Sequence, residues 1–103
     1  MKIIRCLSEL IEEELEDAGK YIDLASKWKE DEPQIAALFA ELSTEEMGHV
    51  DKLHRAVSEK ITEHKARNGD PPREMMVLYD YLHDRHIAEA TKIRIRQNMF
   101  RGE

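Results

Sequence analysis

Residues 46–49 read Glu46-Met47-Gly48-His49, a Glu-x-x-His motif inside a long helical stretch of the chain. On an α-helix, residues i and i+3 lie on one face, so Glu46 and His49 can present a carboxylate and an imidazole to one metal ion. Helical bundles that bind two iron ions use this motif twice, together with a lone glutamate from each of two other helices. The chain has one such motif and one suitable glutamate, Glu14, which is half of that ligand set.

A first helix is predicted over residues 3–28, because apolar residues recur there at alternating spacings of three and four. This inward-facing seam comprises Ile4, Leu7, Ile11, Glu14, Ala18, Tyr21, Ala25 and Trp28. Glu14 is the one seam position that is neither apolar nor aromatic. An acid at mid-helix in such a row is a candidate ligand, whereas the neighbouring acids are ordinary surface charge.

A second helix is predicted over residues 33–66, with Asp31 as its N-cap and Pro33 in its first turn. Its seam comprises Ile35, Phe39, Leu42, Glu46, His49, Leu53 and Ala56. The short connection predicts an antiparallel hairpin, in which residues equally distant from the turn lie side by side. Glu14 lies seventeen residues before Asp31, and Glu46 and His49 lie fifteen and eighteen after it, so all three are expected at one level.

A third helix is predicted over residues 72–100, after the break Asn68-Gly69-Asp70-Pro71-Pro72, with Asp70 as its cap and Pro71 in its first position. Its apolar stripe includes His83 and His86. The pair Asp80 and His83 has ligand spacing, but packing in the core or at an interface is the favoured interpretation of both histidines. The two interpretations stay open at this stage.

A metal ion explains the polar seam positions more economically than separate causes do. One buried glutamate or one seam histidine can be satisfied by hydrogen bonds. Two carboxylates brought together would repel each other and would lose solvation, and a divalent or trivalent cation removes both penalties. Carboxylates with an imidazole and no thiolate favour iron or manganese over zinc.

The composition limits the classes of function. The 103 residues predict one small domain, and the net charge of −6 disfavours nucleic acid and anionic membranes as partners. Cys6 is the only cysteine, so an internal disulfide or a four-cysteine metal site is excluded. No apolar run reaches the length of a signal peptide or membrane span, so a cytoplasmic location is expected, with enclosure in a protein compartment left open.

The spacing Glu14-x6-Tyr21 and the later run Glu45-Glu46-Met47-Gly48-His49 resemble the rubrerythrin branch of the ferritin-like superfamily over roughly residues 7–57. The resemblance implies that Glu14 is a terminal iron ligand, Glu46 a bridging carboxylate, His49 the nitrogen ligand and Tyr21 a tyrosine beside the site. Full-length members carry a second ligand set in the same chain, and rubrerythrins add a cysteine-rich electron-donor module. This sequence has neither, and in that respect it is similar to the half-length encapsulated ferritins, although residues 96–103 show no convincing targeting tail.

Together these observations predict an all-α protein: a long antiparallel hairpin and a third helix, completed to a four-helix bundle by homodimerisation or a higher homo-oligomer. Two iron ions per dimer, or manganese, are expected between Glu14, Glu46 and His49 of both chains. The predicted function is oxidation of ferrous iron, of the ferroxidase or peroxide-scavenging type, which would make the protein an oxidoreductase. The alternatives are a non-catalytic iron or manganese binder and a purely structural helical interaction module.

Overall fold

The computed structural model describes residues 1–102, and these residues form three α-helices with no strand among them. Helix α1 spans Lys2–Trp28, α2 spans Pro33–Asn68 and α3 spans Arg73–Arg101. Each helix begins and ends within two residues of the bounds predicted from the sequence. The all-α fold class is confirmed, and the molecule is elongated, with principal extents of 56 × 20 × 17 Å.

The helix ends follow from the prolines and one glycine. Pro33 occupies the first helical position of α2, so its neighbour Glu32 is the N-cap, with φ −137° and no side-chain cap hydrogen bond. The predicted Asp31 cap is wrong, because a residue before proline is held out of the helical region and takes the cap position itself. At the other end, Gly69 caps α2 with φ +75°, a conformation that glycine adopts without a steric penalty.

The start of α3 also differs from the prediction. Pro72, not Asp70, is the N-cap, and its ψ of 142° is extended. Since Pro71 precedes a second proline, it is driven towards extended backbone and cannot open the helix. The helix therefore begins at Arg73, one residue later than expected.

The core lies along one stripe of each helix. The buried residues of the helices are Ile4, Ile11, Leu15, Ala18, Gly19, Ile22 and Ala25 on α1, Ala36, Ser43, Met47 and Val50 on α2, and His86, Ala90, Ile93 and Gln97 on α3. This stripe is rotated towards one flank of the predicted seams. Ile4, Ile11, Ala18 and Ala25 of the predicted α1 seam lie in this core. Glu14 and Tyr21 are only half-buried, and Trp28 and Ile35 are 37% and 46% exposed, so these seam positions lie at the edge of the hairpin interface.

A buried polar junction ties the three helices together. The Ser43 hydroxyl donates a hydrogen bond of 2.7 Å to the Ala18 carbonyl and accepts one of 2.9 Å from Nε2 of Gln97. Because Ser43 is fully buried and Gln97 nearly so, these bonds satisfy groups that would otherwise be costly to desolvate. The junction fixes the register of α3 against the hairpin.

None of the three described helices combines the length and the apolar character that a membrane span needs.

Candidate metal centre

Two helices bring Glu14, Glu46 and His49 to one level of the hairpin. Glu14 lies at the middle of α1, and the other two lie one turn apart on α2. One ligand atom from each residue lies within 4.8 Å of the other two, as the count from the turn predicted. Glu14, Glu46 and His49 therefore form a candidate metal half-site, referred to as the half-site.

The half-site has the geometry of an open ligand set. Nδ1 of His49 lies 3.4 Å from Oε2 of Glu14 and 3.8 Å from Oε2 of Glu46. The side chains of His49, Glu14 and Glu46 are 51%, 28% and 20% exposed. A cation bound at about 2 Å from each atom would need only small movements to contact all three. Two oxygens and one nitrogen suit iron or manganese, so the donor set fits the expected metals.

Tyr21 lies two turns along α1 from Glu14 and packs on the opposite helix. Its ring is stacked on that of Phe39, with centroids 6.3 Å apart and planes 21° apart. This contact holds the tyrosine in place between α1 and α2. A role of its hydroxyl beside a bound metal remains a prediction.

The structure places three other histidines together at a second position, between α2 and α3. The ring centroid of His54 lies 5.4 Å from that of His83 and 5.9 Å from that of His86. Asp80 lines the same cavity as these histidines, so neither it nor His83 belongs to the half-site. His54 was not predicted from the sequence as a site residue. His54 lies four residues after Val50 and three before Val57, and this helical spacing places it on the core-facing side of α2.

Burial governs the protonation of this histidine cluster. Loss of solvation lowers the pKa of His54, and the nearby charges of His83 and His86 lower it further, against an opposing effect of Asp51. Burial also lowers the pKa of His86, partly offset by Glu12. Both rings are therefore neutral at neutral pH.

A helical hairpin that presents two carboxylates and an imidazole at one level defines a metal-binding protein of the ferritin-like class. A comparison with protein-family models is in agreement: the model described as Rubrerythrin matches residues 6–99, and the chain belongs to this family. The match continues through α3, beyond the hairpin that carries the motif resemblance. Membership in this family suggests iron binding. No curated protein and no solved structure matches the chain.

Proposed function

We propose that the protein binds two iron ions between two copies of the chain and oxidises ferrous iron with oxygen or peroxide. The observation that carries the proposal is the convergence of Glu14, Glu46 and His49 on a partly exposed edge of the hairpin. Three ligand residues are too few to hold two ions. Two chains related by a two-fold axis would contribute four glutamates and two histidines, which is the full ligand set of di-iron carboxylate bundles.

Exposed apolar side chains on α1 support a paired assembly. At about 100° per residue, Ile3, Leu10 and Trp28 all lie within about 40° of Glu14 around the helix axis. They are 46%, 40% and 37% exposed. Large apolar groups aligned with an incomplete ligand set are best explained by a surface that another protein covers.

The same arrangement recurs on α2. Ile35 lies within about 20° of Glu46, and Leu38 lies within about 20° of His49. These two apolar side chains are 46% and 47% exposed. A second copy of the chain is the partner that would both cover these surfaces and complete the half-site. An isologous pair needs a self-complementary patch, and a patch centred on identical ligands meets that need.

Each residue of the half-site would have its own role in binding the two ions. Glu46 of each chain would bridge the ions, Glu14 and His49 would each bind one ion, and the stacked Tyr21 would restrict movement beside the site. Two ferrous ions supply two electrons, which with two protons reduce one peroxide to two waters. The partly exposed carboxylates leave a path for ferrous iron to enter. Water that reaches the same edge can supply the protons.

Metal analysis and rapid mixing test the proposal. Protein purified without chelator should contain iron, and anaerobic loading should saturate at one ferrous ion per chain. Mixing with peroxide should then produce a ferric absorbance, and addition of a reductant should allow further cycles. Glu46→Ala should abolish loading, whereas Glu45→Ala, at an exposed neighbouring position, should behave as the wild type.

The results of these experiments would distinguish iron oxidation from metal buffering and from a purely structural role. Loading without renewed oxidation would indicate an iron or manganese buffer. Equal, negligible binding by the wild type and Glu46→Ala would refute a metal centre and would leave a structural helical module.

A further inference from the structure

The histidine cluster between α2 and α3 has features that packing alone does not require. His86 is only 3% exposed, and its Nε2 makes no well-formed hydrogen bond, since its polar neighbour, Oε1 of Glu12, lies 3.5 Å away. Nε2 of His54 is likewise buried and unpartnered. Neither imidazole therefore makes a well-formed hydrogen bond through this buried nitrogen, although buried polar atoms normally make one. A cavity of about 200 Å³ adjoins both rings.

The spacing of the rings matches that of imidazoles bound to one ion. With a metal–nitrogen distance of about 2.1 Å and tetrahedral angles, two bound imidazoles have their centroids about 5.3 Å apart. The distances from His54 to His83 and to His86 are 5.4 and 5.9 Å. His83 and His86 are separated by three residues on α3, so both can face the same point.

A carboxylate lies beside the same cluster. Oε1 of Glu12, on α1, is 3.5 Å from Nε2 of His86. Two ligand atoms on one tetrahedral ion are about 3.3 Å apart, so this pair already has close to the required separation. Each helix thus contributes a potential ligand to the cluster: Glu12 from α1, His54 from α2, and His83 and His86 from α3.

We propose that His54, His83 and His86, with Glu12 or a water as the fourth ligand, form a second metal site that takes a divalent cation of the zinc type. Three imidazoles and one oxygen ligand are typical of four-coordinate zinc, and they differ from the carboxylate-rich half-site. Of residues 1–102, only the half-site has its ligand atoms already within 4.8 Å of one another, so binding here requires the rings to rotate. His83 is exposed and lines the cavity beside the cluster, so an ion from solvent can reach it.

The surrounding charges favour a bound cation at neutral pH. Glu12 and Asp80 supply negative charge from α1 and α3, and Asp51 does so from α2. The opposing positive groups are Arg85 and Arg94. An ion pair of 3.2 Å joins Arg94 to Asp51, so these two charges cancel, and Glu12 and Asp80 against Arg85 leave a net negative charge beside the cluster.

The test uses the full chain with the half-site disabled by Glu46→Ala and His49→Ala. Calorimetric titration of this background variant with Zn²⁺ should show one ion per chain, and Co²⁺ should give the intense visible absorption of a four-coordinate site. Adding His83→Gln should weaken Zn²⁺ binding at least tenfold, the loss seen even when a supporting residue of a metal site is removed. Because His83 is exposed, this change should leave the fold intact.

A matched control is His64→Gln, since His64 also lies on α2 but contacts Asn68 away from the cluster. It should bind Zn²⁺ as the background variant does. The proposal is overturned if the background variant shows no saturable Zn²⁺ binding, or if His54→Gln and His83→Gln bind as tightly as His64→Gln. Either result would identify the histidines as packing residues and would leave the proposed function untouched, because the half-site is absent from the background variant.

Discussion

Removal of iron should weaken the proposed dimer, because each chain supplies only one half of the ligand set. If an ion binds the paired half-sites and not the single chain, its binding stabilises the dimer by RT ln(1 + [L]/Kd). At a free iron concentration 100 times the site Kd, this is about 2.7 kcal/mol per ion, or about 5.4 kcal/mol for two ions. A free-energy change of that size alters the dimer dissociation constant by about 10⁴-fold.

Sedimentation of metal-free and ferrous-loaded protein over an anaerobic dilution series measures this difference directly. The loaded protein should remain dimeric at concentrations at which the metal-free protein dissociates. Glu46→Ala provides the control, since its dissociation constant should not respond to iron. A loaded monomer that holds two ions, or a dissociation constant that is the same with and without iron, would refute the shared site.

Three further predictions concern single features of the chain. Glu46→Ala should reduce ferrous stoichiometry more than Glu14→Ala, because a bridging carboxylate contacts both ions; equal losses in an anaerobic titration would contradict the bridging role. Ser43→Ala should lower the free energy of unfolding by about 2–4 kcal/mol in a urea titration, because it removes two buried hydrogen bonds and leaves the groups that made them unpaired. Below about pH 6.5 the unfolded chain protonates its histidines while burial holds the pKa of His54 and His86 lower. Metal-free protein should therefore lose thermal stability as the pH falls from 7 towards 5, and replacing both histidines by glutamine should flatten that dependence.

The sequence predicted the helices well because prolines and a glycine mark their ends. Pro33 and Gly69 act through fixed backbone preferences that tertiary contacts rarely override. The half-site was also predictable, since a short turn sets the register of a hairpin and hence the level of each residue along it. The position of Glu14 opposite Glu46 and His49 depends on this count and on no detail of side-chain packing.

The buried stripe was harder to predict for a physical reason. A row of apolar residues shows that one face of a helix is covered, but it does not show whether the same chain or another copy covers it. Leu7 and Tyr21 were expected at the centre of the hairpin interface and lie at its edge. The histidine cluster was missed because His54 meets His83 and His86 only through the packing of α3, which no local sequence spacing encodes.

The way α3 is attached has a consequence for the order in which the protein assembles. Helices α1 and α2 are joined by a short turn and pack along their length, so their contacts close a small loop and form early. By contrast, α3 runs back along the hairpin, and its docking depends on a few contacts between residues distant in sequence, such as the hydrogen bond from Gln97 to Ser43. All three residues of the half-site belong to the hairpin, whereas the histidine cluster exists only once α3 has docked. Opening of α3 alone would therefore dismantle the second site and spare the first, which gives the two candidate sites separate lifetimes in one small domain.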